Sequence, residues 1–210
     1  MLWLAFVLAF AAISYAARSE SGRPDADVLY QPSTFVNYVI QYALIGAVIW
    51  AIAGLGSRRE LFALRRPSSW GRATAIAVGV ILGMYALSAA LGPVLHPGRE
   101  QGLTPTAWEP AHAAAYIVNG IAIAVLAPVF EELTFRGLGF SLLRRYGEWT
   151  AIIGVGFLFG LAHGLVQALP FLVAFGIGLA FLRSRTGSVF PGMIVHGFFN
   201  ATALIFAVAH

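Results

Sequence analysis

The chain has no cysteine, no lysine and few charges of any kind. Without cysteine there can be no disulfide, no thiolate metal site and no cysteine nucleophile. All 13 basic residues are arginine; charged residues make up 10% of the 210 and hydrophobic ones 59%. So small a polar complement does not cover a water-soluble domain, and a mean hydropathy of +0.80 places the chain with proteins that cross a lipid bilayer several times. The net charge of +4 needs no nucleic-acid partner, because basic loops at a membrane surface account for it. An arginine-only, Ala- and Gly-rich composition points to a GC-rich prokaryotic gene and hence to a plasma membrane. No repeat, linker or low-complexity tract divides the chain.

What is present is a series of apolar runs of spanning length. They lie near 1–17, 35–54, 73–95, 113–136, 150–169, 171–182 and 189–209. The expected fold is therefore all-α, a polytopic transmembrane helix bundle of about seven spans forming one integral membrane domain. The run at 171–182 is short and follows Pro170, which suggests a tight turn, a tilted helix or a half-span. The first run reads as an uncleaved span, since no positive charge precedes Arg18 as a signal peptide would require. With seven spans, nine arginines (58, 59, 65, 66, 72, 144, 145, 183 and 185) fall on one side and three (18, 23 and 99) on the other. The positive-inside rule assigns the first side to the cytoplasm. The piece "RRELFALRR" reads as a short interfacial helix. The stretches "RSESGRPDADVLYQPST" and "HPGREQGLTPTAWEPAH" read as loops.

Against this background the segment "AVLAPVFEELTFRGLGF", residues 124–140, is anomalous. A charge near the middle of a membrane helix costs roughly 2.5–3.5 kcal/mol on insertion scales, so Glu131, Glu132 and Arg136 need partners. Glu132 and Arg136 are spaced i, i+4 in the favourable acid-before-base order. Glu131 lies about 140° around the helix from Arg136 and is left to face something else. Two later spans supply candidates: Phe159 and His163 share a face, as do His196 and Asn200. Gly156, Gly160 and Gly164 form a small-residue stripe for close helix packing. A carboxylate, two imidazoles and a carboxamide can thus converge. His96, His112 and His210 fall in loops or at the terminus and read as solvated.

Taken together, EExxxR at 131–136, FxxxH at 159–163 and HxxxN at 196–200 resemble the CPBP (Abi) family of intramembrane proteases, the type II CAAX prenyl endopeptidases. The flanking "FRGLGFSLL" and "RTGSVFPGMIVHG" are similar to that family as well, and the likeness runs over about 124–202. It implies a division into variable N-terminal helices, 1–112, and a catalytic helix core, 113–210. It also implies an endopeptidase acting on membrane-associated, prenylated or unprenylated, protein or peptide substrates. By the same resemblance Glu131 is the base that activates water and His163 holds that water. His196 and Asn200 stabilise the oxyanion, while Glu132, Arg136 and Phe159 support the site.

No cofactor is expected, because a zinc ion held by Glu131, His163 and His196 would leave no second carboxylate as base. Zinc on those three residues is the alternative. The sequence has no HExxH, GxGD or GxSG motif, so other intramembrane protease chemistries are excluded. Counting along the helices places the site on the order of 10–20 Å in from the arginine-rich surface, with access from that cytoplasmic side and with Gly137 and Gly139 as points where the helix could end early. The rival reading is a non-catalytic scaffold or bacteriocin-immunity protein of the same fold.

Overall fold

The computed structural model describes residues 2–21, 27–54, 57–95, 100, 105 and 107–209. Among these the chain is all-helical, with no strand. Its long helices are α1 (Leu2–Ser21), α2 (Pro32–Ala53), α3 (Trp70–Leu95), α4 (Pro110–Tyr146), α5 (Glu148–Ala162), α6 (Leu169–Thr186) and α7 (Phe190–Ala209). Six are long and apolar enough to cross a membrane, and α5, at 15 residues, is the short one. At 1.5 Å per residue α5 covers about 22 Å, less than the ~30 Å hydrocarbon core.

The expectation of a short sixth span is thereby corrected. Pro170 stands in the first turn of an 18-residue helix, where its missing N–H breaks no bond. The apolar run at 150–169 is cut instead at His163, which caps α5, and at Gly164, whose φ of +64° turns the chain. Gly164 is therefore a turn residue packed on α1, where an added Cβ would meet Ser14 at 2.7 Å. Gly156 and Gly160 do form a packing stripe. Cβ atoms there would stand 2.5 Å from Ile177 and 2.6 Å from Val173, so α5 and α6 lie backbone against backbone.

Helix α4 carries the anomalous segment and does not end at Gly137 or Gly139. It continues to Tyr146 by widening twice into π-helix, at Ala122–Leu126 and at Leu133–Gly139. Pro128 explains the first widening, because it lacks an N–H and its ring crowds the carbonyl four residues back. Inside a bilayer every carbonyl released in this way needs a donor. Asn200 Nδ2 donates to Ile123 O (2.9 Å), Trp3 Nε1 to Thr134 O (2.9 Å) and Arg183 Nε to Arg136 O (3.1 Å). The glutamates sit in the α-helical stretch Ala127–Glu132 between the two π segments.

The segment bearing Arg58, Arg59, Arg65 and Arg66 meets the end of α4, with Arg144 and Arg145, and the end of α6, with Arg183 and Arg185, at one end of the bundle. There Arg65 Nε donates to Gly187 O (2.8 Å), Ser68 N to Thr186 O (2.9 Å) and Ser141 Oγ to Leu61 O (2.7 Å). The expected interfacial helix shrinks to Arg58–Leu61, and Phe62 and Ala63 after it are buried. Trp3, Phe62, Leu138 and Phe140, each at most 3% exposed, close this end with a packed core. At the opposite end Leu29 and Tyr30, expected to be loop residues, pack on Tyr116, Ile123 and Leu204. Arg23, Arg99, His96 and His210 lie outside the described residues.

Candidate active site

Glu131 and Glu132 leave α4 in different directions. Glu132 is fully buried with Arg136; its Oε1 accepts from Arg136 Nη1 at 2.9 Å and from His196 Nδ1 at 3.1 Å. The guanidinium also donates to Gly176 O (3.0 Å) and lies over the Phe159 ring, 4.3 Å from its centroid. Glu132 Oε2 rests against α7 at Gly192, where an added Cβ would be 2.5 Å away. Glu131 faces a cavity of about 590 Å³ and keeps 18% of its side chain exposed. Its Oε1 accepts a hydrogen bond from Tyr42 Oη at 2.8 Å.

The second oxygen of Glu131 is the distinctive atom. Glu131 Oε2 is buried and receives no hydrogen bond from the described residues, yet His163 Nε2 stands 3.8 Å away and His196 Nε2 3.7 Å away. Both distances are too long for a direct hydrogen bond. The tautomers follow from the other ring nitrogens. His163 Nδ1 lies 2.7 Å from Phe159 O, a carbonyl that can only accept, so Nδ1 carries the proton. His196 Nδ1 faces the Glu132 carboxylate and carries one for the same reason. In their neutral forms both rings turn a lone pair at Nε2 toward the gap. Phe159 packs edge-on against both rings, with centroid distances of 4.6 and 5.7 Å.

The structure thus brings together Glu131, His163 and His196 around one point, with Asn200 on the same cavity wall. Asn200 spends one N–H on the π-helical carbonyl of Ile123 and keeps another. Glu132, Arg136 and Phe159 form the buried layer behind. Of the outlying histidines, His112 is exposed and paired with Glu109 at 2.8 Å. Among the described residues no group of three or more His, Asp or Glu side chains is arranged to hold a metal ion.

Residues 113–202 match one protein-family model, described as type II CAAX prenyl endopeptidase Rce1-like. This segment is similar to the Rce1-like family. The similarity covers α4 to α7 up to the middle of the last helix. No curated protein and no solved structure matches the chain. Two residues that touch the site lie outside the Rce1-like segment and were not foreseen, Tyr42 on α2 and Arg18 on α1, whose Nε donates to His163 O at 3.3 Å. A signal for Tyr42 existed: Tyr38, Gln41 and Tyr42 put polar atoms at i, i+3 and i+4 of an otherwise apolar span.

The cavity reaches from Phe6 and Val7, in the first half of α1, toward the far end of the bundle. Its walls come from Ser14 and Arg18 at the end of α1, Tyr38 at the start of α2, Ser88 late in α3, Ala168 before α6 and Ala203 late in α7. All of these lie in the half of the bundle away from the arginine loops.

Proposed function

We propose that this protein is an intramembrane endopeptidase in which Glu131 activates water against a peptide bond of a membrane-associated protein or peptide. The observation that carries the reading is the open Glu131 Oε2 with two imidazole Nε2 atoms at 3.7 and 3.8 Å. A water in that gap gives one proton to Glu131 Oε2 and adds as hydroxide to the substrate carbonyl, while His163 Nε2 orients it. The carbonyl oxygen becomes an oxyanion and needs donors. Since His196 Nδ1 is engaged with Glu132, His196 donates through Nε2 only as imidazolium, with Glu132 as its counter-ion. The spare N–H of Asn200 is the second donor. Collapse breaks the C–N bond, and Glu131 returns its proton to the leaving amine, so that one water, one acid and one amine balance.

Glu132 stays committed to Arg136 and His196, and Glu131 is the base without a metal. Cleavage of a peptide library, prenylated and unprenylated, by purified protein in detergent tests this. Glu131→Gln is expected to lower the rate by about 100-fold or more with the unfolding midpoint unchanged, and a strong chelator is expected to have no effect. Undiminished cleavage by Glu131→Gln rejects the base, and chelator loss restored by zinc moves Glu131, His163 and His196 into a metal site.

A further inference from the structure

The catalytic geometry leaves one charged residue of the cavity unexplained. Arg18, near the end of α1, lines the same cavity as Glu131 and is the single arginine that does so among the described residues. Its hydrogen bonds go to two neutral groups, Nε to His163 O and Nη1 to Glu100 O, both at 3.3 Å. The Glu100 carboxylate is turned elsewhere, accepting from Val166 N (2.7 Å) and Ala168 N (2.9 Å). Arg18 forms no ion pair with a carboxylate among the described residues, and a guanidinium has five N–H donors, so three remain. A half-buried cation with donors left over at the wall of this cavity is suited to an anion.

Its place relative to the reaction is set by His163. That residue receives Arg18 through its carbonyl and faces Glu131 through its ring, so the two charges stand one histidine apart. Tyr38, also on the cavity wall, lies within electrostatic reach of both. The placement is rigid because Ser14, one turn before Arg18, is seated against Gly164.

We propose that Arg18 is a substrate-binding residue that pairs with a carboxylate of the peptide held in the cavity. The subsite rests on the peptidase reading for its purpose but has its own binding readout. Two carboxylates qualify, the free chain terminus and an Asp or Glu side chain near it.

The test uses three acylated, fluorescent ten-residue peptides in micelles: one with a free C-terminus, one ending in an amide, and one amide with Asp among its last four residues. Binding is read by anisotropy on Glu131→Gln protein and cleavage on protein with Glu131 intact, each with Arg18, Arg18→Gln and Arg18→Lys. Gln retains donors for the His163 carbonyl, so it removes the charge and spares the turn. The carboxylate peptide is expected to bind and be cut at least tenfold better than the plain amide by protein with Arg18 or with Arg18→Lys, and equally by the Arg18→Gln variant. Rescue by the Asp peptide identifies a side-chain carboxylate; no rescue identifies the terminus. Equal handling of all three peptides, or a preference that survives Arg18→Gln, overturns the subsite while leaving the peptidase standing. A charge-dependent binding preference without any cleavage does the reverse.

Discussion

Glu131 and Glu132 are neighbours in the chain and opposites in environment. Glu132 has two cationic or donor partners and no exposure, whereas Glu131 has one neutral donor and a face on the cavity. That division was readable from spacing alone, because a helix turns adjacent side chains about 100° apart and only Glu132 falls in register with Arg136. Tyr42 was not readable in the same way. Its contact crosses 89 positions, and no periodicity in α2 says which carboxylate a phenol will meet. The hydrogen bond has a specific consequence: by occupying Oε1 it turns Oε2 toward the two imidazoles. Tyr42→Phe removes only that bond, so kcat should fall about 10- to 150-fold, in line with the roughly 1.5–3 kcal/mol of a hydrogen bond to a charged group, with KM little changed. Steady-state kinetics on the variant check it, and an unchanged kcat would mean the carboxylate is oriented by other means.

At the scale of elements, the site depends on α4 remaining one helix while its pitch changes. The sequence marked 137 and 139 as places to stop; the helix continues because Trp3 and Arg183, from α1 and α6, take the carbonyls that the widened turns release. Such compensation is tertiary and leaves no local signature. The same holds for Gly192, which reads as an ordinary glycine beside Pro191. In the fold it is the point where α7 approaches closely enough for the Glu132 carboxylate to rest on its backbone. Gly192→Ala puts a methyl 2.5 Å from Glu132 Oε2, and Arg136 and His196 hold that carboxylate from the other side. The strain of overpacking is expected to cost about 1–3 kcal/mol. Activity should fall further than stability, because His196 takes its orientation from Glu132. Comparing unfolding midpoint and cleavage rate for Gly192→Ala with those for Gly79→Ala, where a Cβ meets nothing within 4 Å, separates the two effects.

For the whole molecule, the arginine loops and the cavity lie at opposite ends. The loops gather where Trp3, Phe62, Leu138 and Phe140 seal the bundle, and the cavity runs from Glu131 toward Arg18 and Ser88. If the positive-inside rule orients the chain, the sealed end is cytoplasmic and the cavity is reached from the other face of the membrane. The absence of cysteine makes this directly measurable, since any single cysteine introduced is the only thiol. Ser57→Cys reports the arginine end, where the side chain is exposed, and Ser14→Cys reports the cavity wall. A membrane-impermeant maleimide added outside intact cells should label the Ser14→Cys protein and spare the Ser57→Cys protein, and inverted vesicles should give the opposite pattern. Labelling of both variants from the inverted side alone would show that water and substrate reach Glu131 past the arginine loops. The packed plug would then have to open for catalysis, and changes at Trp3 or Phe62 would raise or abolish turnover.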